Sequence, residues 1–199
     1  ELNYIILNDF PVQLNCIEML NGTLDKYIED TENNICDLEW KSILFQICFA
    51  LSIAQKEFNF VHNDLHSSNI MFQPTKEKYL YFCIHNQYFR VPTFGRITKI
   101  IDFARGTFKL DGRWYFSDVF AKDGEAEGQY QYPKKSHIKE KPNPSFDLIR
   151  LATTIQERLD DKPDIKKLIT KWMIDDHGKN VGEMKDSFDL YIHIAKYCH

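Results

Sequence analysis

The spacing of apolar residues along the chain predicts a mainly helical protein with a few short strands. The strongest pattern follows Asp37, where apolar side chains recur at steps of three and four residues: Trp40, Ile43, Leu44, Ile47, Cys48 and Leu51. Phe45, Phe49 and Ile53 make the opposite side of the same helix apolar as well. A helix that is apolar nearly all round is predicted to lie in the middle of a domain.

Shorter patterns predict strands on both sides of that helix. Five segments have the alternation or the β-rich composition of strands: residues 12–16, 70–72, 96–103 and, as a hairpin, 79–84 with 87–91. The turn of the hairpin would be His85-Asn86, which is not the preferred Asn-Gly pair.

The chain loses its periodicity between Ala104 and Pro144. A segment of this length without regular structure is uncommon in a compact domain and is usually functional. Three helices then close the chain, starting near Ser145, Pro163 and Ser187. The predicted fold class is therefore α+β and mainly helical.

Composition narrows the function classes. The 199 residues carry a net charge of −4, so they offer no basic excess to neutralise nucleic-acid phosphates. The best apolar run, residues 43–54, is shorter than the roughly 20 residues that a membrane-spanning helix needs. The five cysteines form no C-x-x-C pair, which favours free thiols in a reducing compartment such as the cytoplasm. We expect neither a nucleic-acid partner nor membrane insertion.

Three motifs carry the candidate chemistry. They are Phe-Val-His-Asn-Asp-Leu-His-Ser-Ser-Asn-Ile-Met-Phe at residues 60–72, Lys-Ile-Ile-Asp-Phe-Ala at 99–104 and Phe-Asp-Leu at 146–148. In this order they resemble the catalytic loop, the metal-binding strand and the start of the central helix of the protein-kinase superfamily. Phosphoryl transfer needs a carboxylate beside the attacking hydroxyl and hard oxygen ligands for Mg²⁺, and the motifs contain both.

The resemblance implies a role for each motif residue. Asp64 would orient the substrate hydroxyl and accept its proton, and His66 would assist at the phosphate. Asn69 and Asp102 would hold Mg²⁺, with ATP as the phosphoryl donor. The acceptor would be a Ser or Thr hydroxyl of a protein substrate.

Other residues receive roles by their position within the same resemblance. The hinge and the strand below the base would bind the nucleotide through Ile17, Glu18, Leu20 and Met71, with Ile17 as the gatekeeper. His62 and Phe103 would stack in the family's hydrophobic spine. Asp147 would accept backbone hydrogen bonds from the catalytic loop.

The resemblance also divides the chain. Residues 1–22 would form the last strand of the N-lobe and the hinge, and residues 23–199 the C-lobe. The C-lobe would contain the catalytic loop 60–72, an inserted hairpin 78–95, the metal-binding strand 96–104, the activation segment 105–144 and the C-terminal helices 145–199. No G-x-G-x-x-G occurs in these residues, so we expect the N-lobe to lie upstream in a longer parent chain.

Several positions depart from the usual kinase pattern. Asn63 replaces the arginine before the catalytic aspartate, Ala104 replaces the glycine of D-F-G, and His66 replaces a lysine, as in haspin-like and small-molecule kinases. Asn69 and Asp102 are 33 positions apart (102 − 69), which is longer than in ordinary kinases. In this long interval and in the inserted hairpin, the chain resembles predicted Ser/Thr kinases of large nucleocytoplasmic DNA viruses. That likeness implies a location in the host cytoplasm or the virion.

Two other functions stay open at this point. A pseudokinase that acts as a binding or virion structural protein is favoured by Ala104 and by the missing N-lobe motifs. A small-molecule kinase of the aminoglycoside or choline type would share the H-x-D-L-H-x-x-N pattern. Retention of Asp64, Asn69 and Asp102 favours a working enzyme, and the long segment after Asp102 favours a protein kinase.

Overall fold

The computed structural model describes residues 9, 11, 16–32, 34–130, 132, 141–185 and 187–199. In this part of the chain the strands are β1 (Asn21–Thr23), β2 (Ile70–Pro74), β3 (Tyr79–Ile84), β4 (Gln87–Pro92), β5 (Arg96–Ile100), β6 (Phe108–Leu110) and β7 (Arg113–Tyr115). The α-helices are α1 (Leu24–Asp30), α2 (Asp37–Phe58), α3 (Phe146–Ile155), α4 (Pro163–Trp172) and α5 (Phe188–Tyr197). The strand predicted at residues 12–16 lies, apart from Cys16, outside the described residues.

Helix α2 is the centre of the described fold. One side of it is buried in the main core and carries Trp40, Ile43, Leu44, Ile47 and Leu51. The opposite side is covered by the β3–β4 hairpin, since the Phe82 ring lies 5.2 Å from that of Phe45 and 4.6 Å from that of Phe49. The prediction of a second apolar side is therefore confirmed at Phe45 and Phe49, which the hairpin covers. It is wrong at Ile53, which lies beyond these ring contacts and is 43% exposed.

The hairpin forms where the sequence predicts it and is fixed to α2 by polar bonds. His85 and Asn86 at its turn have φ values of 48° and 63°, as the right-handed strand twist favours in a two-residue turn. The Ser42 hydroxyl on α2 donates to the carbonyl of Pro92 at 2.6 Å. The Gln46 side-chain oxygen accepts from the N–H of Thr98 at 2.9 Å, which ties β5 to the same helix.

A three-stranded antiparallel sheet positions the candidate site. Its strand order is β1-β2-β5, and β2 pairs with β5 in a register that sets Ile70 opposite Ile100. The strand predicted over 96–103 ends at Ile100, because Asp102 adopts a left-handed backbone conformation with φ 62°. The start of β2 and the end of β5 therefore lie at the same end of the sheet. The loop that precedes β2 and the segment that follows β5 meet there.

The segment after Ala104 contains regular structure that its composition does not suggest. Strands β6 and β7 form a short hairpin around Asp111-Gly112, whose φ values are 50° and 77°. Asp-Gly is a preferred pair for such a turn, so the turn itself has a sequence signal. The residues on either side of it show no alternation that would predict strands. Part of the predicted activation segment, residues 131 and 133–140, lies outside the described residues.

Helices α3, α4 and α5 begin where the sequence predicts them. Helix α3 is buried along most of its length, including the acidic side chain of Asp147. Asn143 links its start to the end of α5, because its amide donates to the carbonyls of Ile194 and Cys198 at 3.0 and 2.6 Å. Among the described residues, no helix is long and apolar enough to cross a bilayer.

The hairpin contact with α2 gives the first prediction. Replacing Phe82 with Ala removes the ring that contacts Phe45 and Phe49, and should lower the free energy of unfolding by about 2–4 kcal/mol. Tyr81→Ala is the matched control, since Tyr81 is on the same strand but 75% exposed, and should change stability by less than about 0.5 kcal/mol. Urea unfolding of the two variants measures both values, and equal losses would contradict this packing.

Candidate active site

The backbone of the catalytic loop is held by one buried carboxylate. Asp147 lies in the first turn of α3, and its two oxygens accept from the N–H groups of His62 and Asn63 at 2.8 and 2.9 Å. Burial raises the pKa of Asp147 to about 7, although the two N–H donors act in the opposite direction. The carboxylate fixes two successive peptide groups immediately before Asp64.

Asn63 joins the loop to the segment that follows Asp102. Its side chain is buried, its φ is 65°, and its amide nitrogen lies 2.9 Å from the Arg105 carbonyl and 3.1 Å from the Thr107 hydroxyl. Val61 and Thr107 also exchange two backbone hydrogen bonds of 2.9 Å. Where the kinase pattern has a cationic arginine, this chain therefore has a neutral amide that contacts the adjacent segment directly.

Asp64 and Asn69 are fixed to each other across the loop. The Asn69 amide donates to the Asp64 carbonyl at 3.0 Å, and the Asn69 N–H donates to the His66 carbonyl at 2.9 Å. The Asn69 carbonyl accepts from the N–H of Ile101 at 3.0 Å, which extends the β2–β5 ladder toward the loop. This bond places Asn69 beside the residue that precedes Asp102.

Asp102 follows β5 as an exposed acid. Its left-handed conformation turns the chain out of the strand, and its carboxylate lies 3.4 Å from the N–H of Ala104. Asp64, Asn69 and Asp102 are thus brought to the same end of the β2–β5 pair, on two backbone segments joined by hydrogen bonds. Carboxylate and amide oxygens are ligands that Mg²⁺ prefers, so Asn69 and Asp102 suit such an ion.

His62 and Phe103 are in ring contact beneath these acids. Their ring centroids are 5.5 Å apart, and Phe60 adds an edge contact to Phe103 at 5.8 Å. His62 is fully buried with Nε2 at 2.8 Å from the Ile101 carbonyl, which requires the Nε2–H tautomer. Burial lowers the pKa of His62, which favours the neutral form of the ring. Phe103 remains 57% exposed on its outer side.

The residues assigned to nucleotide binding are only partly brought together. Met71 lies in β2 opposite Thr23 of β1, so the base floor and the hinge are neighbours in the sheet. Ile17 is 82% exposed, and Glu18 is exposed with its carboxylate bonded to the Gln73 amide at 2.8 Å. Within the described residues Ile17 is not enclosed as a gatekeeper would be, and its role stays a prediction.

Two residues that lie outside the sequence motifs also approach the Asp64 carboxylate. The Tyr191 hydroxyl of α5 donates to Asp64 Oδ1 at 2.7 Å, and Arg105 Nε lies 3.7 Å from Asp64 Oδ2. Arg105 also pairs with Glu125 at 2.6 Å. Arg105 directly follows the D-F-A motif, and this position is a sequence signal for a contact with the site. Tyr191 has no such signal, because the helical pattern around it is that of an ordinary core aromatic.

A polar cavity opens beside Asp64. Its volume is about 490 Å³, and His66, which precedes a short 3₁₀ turn at Ser67–Asn69, is on its wall. The cavity also presents carboxylates and guanidinium groups, among them Asp25, Glu157 and Arg158. The lining of the cavity is therefore mainly polar and charged next to Asp64.

Part of the chain is similar in sequence to known protein kinases. The chain is 34% identical to mouse serine/threonine-protein kinase haspin over 94 residues, and 39% identical to a probable serine/threonine-protein kinase of Dictyostelium discoideum over 95 residues. The Drosophila melanogaster haspin homolog is 32% identical over 92 residues. These three relatives carry the names of serine/threonine-protein kinases, the Dictyostelium protein as a probable one.

The similarity to these kinases is partial. It covers 46%, 45% and 45% of this chain, but only 12%, 8% and 16% of the mouse, Dictyostelium and Drosophila kinases. No protein-family model matches the chain. The kinase homology supports a protein-kinase-like function and, for kinases in general, implies use of ATP and a divalent metal.

The Asp147 anchor gives the second prediction. Asp147→Asn keeps the size of the side chain but offers only one oxygen, so one backbone N–H of the kinase-like loop loses its acceptor. We expect a loss of about 1–3 kcal/mol in the free energy of unfolding. Asp160→Asn is the control, because Asp160 is exposed in a surface ion pair with Lys166. Thermal and urea unfolding would refute the anchor if both variants matched the wild type.

The buried His62 gives the third prediction. Its pKa is lowered in the folded state, so the unfolded chain takes up this proton before the folded one as the pH falls through about 6.5, and the contribution of His62 to stability decreases there. His62→Phe loses the bond to Ile101 at every pH but also loses this titration. The stability gap between wild type and variant should therefore narrow as the pH falls below about 6.5, by at most about 1.4 kcal/mol per pH unit. Urea unfolding between pH 5 and 8 tests this, with the exposed turn variant His85→Asn expected to follow the wild type.

Proposed function

We propose that this protein transfers the γ-phosphoryl group of ATP to Ser or Thr hydroxyls of a protein substrate. The observation that carries the proposal is the loop geometry, in which Asp147 fixes the backbone before Asp64 while Asn69 bonds to both Asp64 and Ile101. A structural loop would not need three separate oxygen-bearing side chains at one end of a sheet. Phosphoryl transfer needs all three.

The chemistry assigns one task to each residue of this group. Asp64 would orient the acceptor hydroxyl and take its proton while the new O–P bond forms and the bond to the β–γ bridging oxygen breaks, releasing ADP. Asn69 and Asp102 would hold Mg²⁺, which supplies charge neutralisation at the phosphates when bound. Mg²⁺ commonly takes one or two protein ligands and the rest of its ligands from phosphate and water.

In this proposal, nucleotide binding also requires residues from another part of a longer parent chain. Ile17, Glu18, Leu20 and Met71 would contact the adenine, with an N-lobe from an upstream part of a longer parent chain covering the other side. The pairing of β1 with β2 supports this, since it sets the hinge next to Met71. The exposed side chains of Ile17 and Met19 offer apolar surface to such a lobe.

The viral likeness and the location belong to the same proposal. They depend on the His-Asn-Asp-Leu-His motif and on the hairpin inserted between Asn69 and Asp102, and they would place the protein in a host cytoplasm or a virion.

A binding protein without catalysis is the second candidate. The observation that favours it is that Asp64 already has a hydrogen-bond donor at one oxygen and a guanidinium near the other. Ala104 in place of glycine adds to this, because the backbone after Asp102 is then less free to rearrange. The two candidates differ in whether Asp64 is needed for phosphate transfer.

The fourth prediction separates these candidates. The full-length protein should transfer labelled γ-phosphate from Mg-ATP to a Ser/Thr peptide library, and Asp64→Asn should lower the rate by about 10²- to 10⁴-fold. Asp102→Asn should lower it as well and weaken Mg²⁺-dependent ATP binding. The exposed Asp160→Asn serves as the unaffected control.

The outcomes differ for each function. Transfer to choline or an aminoglycoside but not to peptides would identify a small-molecule kinase. Transfer that persists in Asp64→Asn would remove Asp64 from the chemistry. No transfer by the wild type, with no ATP-dependent thermal shift, would leave the binding protein.

A further inference from the structure

Tyr191 connects the last helix to the catalytic loop. Its hydroxyl donates to Asp64 Oδ1 at 2.7 Å and accepts from Arg150 Nε at 2.9 Å. Arg150 is a buried residue of α3. Its guanidinium donates to the phenol oxygen of Tyr191, and the phenol proton points to Asp64. The direction of each bond is fixed, because a guanidinium can only donate.

The ring of Tyr191 is as well fixed as its hydroxyl. It packs against Phe146 and Phe188, with both centroid distances 5.8 Å, and the guanidinium of Arg150 lies 4.9 Å from its centroid. Helix α5 therefore presents this hydroxyl to the loop from a packed position. Helix α3 fixes the backbone of the loop through Asp147. Helix α5 contacts the side chain of Asp64 through Tyr191.

The two oxygens of Asp64 differ in their surroundings. Oδ1 is bonded to Tyr191, whereas the closest cation to Oδ2 is Arg105 Nε at 3.7 Å, beyond hydrogen-bond length. The terminal torsion of an aspartate is broad, so the side chain itself does not fix the plane of its carboxylate. The Tyr191 bond fixes that plane, with one oxygen bonded and the other left without a hydrogen bond from Tyr191.

We propose that Tyr191 is a positioning residue that holds the Asp64 carboxylate by Oδ1 and leaves Oδ2 to accept the proton of the substrate hydroxyl. This inference rests on the proposed kinase function. It assigns to the last helix a part in the reaction that the sequence motifs do not contain.

The fifth prediction tests this role with a single oxygen. Tyr191→Phe keeps the packed ring and removes only the hydroxyl, and in the full-length protein it should lower kcat by about 10- to 100-fold, the amount expected for one hydrogen bond to a charged group. KM for ATP and for the peptide should stay within about twofold, because the hydroxyl acts on the proton acceptor and not on binding. Tyr197→Phe is the matched control, since Tyr197 lies on the same helix in contact with His177 and His193.

The outcomes separate this inference from the proposed function. If the wild type transfers phosphate and Tyr191→Phe is equally fast, the positioning role is wrong while the kinase function stands. A faster Tyr191→Phe would also overturn it, because the hydroxyl would then be occupying the place of the substrate hydroxyl. If the wild type transfers nothing, the proposed function fails and this inference fails with it. A Tyr191→Phe protein with lowered kcat but an unchanged thermal midpoint would support the role, since lost packing would lower both.

Discussion

The candidate site depends on one interaction, the two hydrogen bonds that the Asp147 carboxylate accepts from the loop. A buried carboxylate is costly unless each oxygen is satisfied, so the acid and the loop constrain each other. The N–H groups of His62 and Asn63 can both point at Asp147 only if the loop turns there, and Asn63 does so with a positive φ. Asparagine tolerates that conformation better than most residues. The same bonds place the backbone of Asp64, because it is the next residue.

The inserted hairpin answers a packing requirement set by α2. A central helix with apolar side chains on two sides needs a second cover, and the ring contacts of Phe82 with Phe45 and Phe49 provide it. The long interval between Asn69 and Asp102 therefore has a structural explanation in the described residues. The ladder of β2 with β5 keeps the two ends of this insertion together, so the hairpin does not disturb the site.

Much of the site could be predicted from the sequence because its residues lie in short motifs with fixed spacing. Asp64 and Asn69 are on one loop, and Asp102 follows an apolar strand that pairs with the strand after that loop. The contacts of Tyr191 and Arg105 could not be predicted this way. Tyr191 is 127 positions from Asp64, and its helix shows only the apolar spacing of a core element. Such a contact depends on how α5 packs on α3, which no local pattern contains. The β6–β7 hairpin was missed for a different reason, since its strands of three residues are too short to show alternation.

The Asn63 side chain links the loop to the following segment through neutral hydrogen bonds, without a charge that phosphorylation would have to supply. An arginine at this position would need a phosphate or carboxylate partner, whereas the Asn63 amide binds the Arg105 carbonyl and the Thr107 hydroxyl, which are always present. Arg105 then carries the positive charge from the other side, between Asp64 and Glu125. Both partners of that cation are encoded in the chain, so in the described part of the segment the link between loop and segment forms without any added phosphate. Loop, segment and α5 thus converge on Asp64 through contacts that the sequence alone supplies.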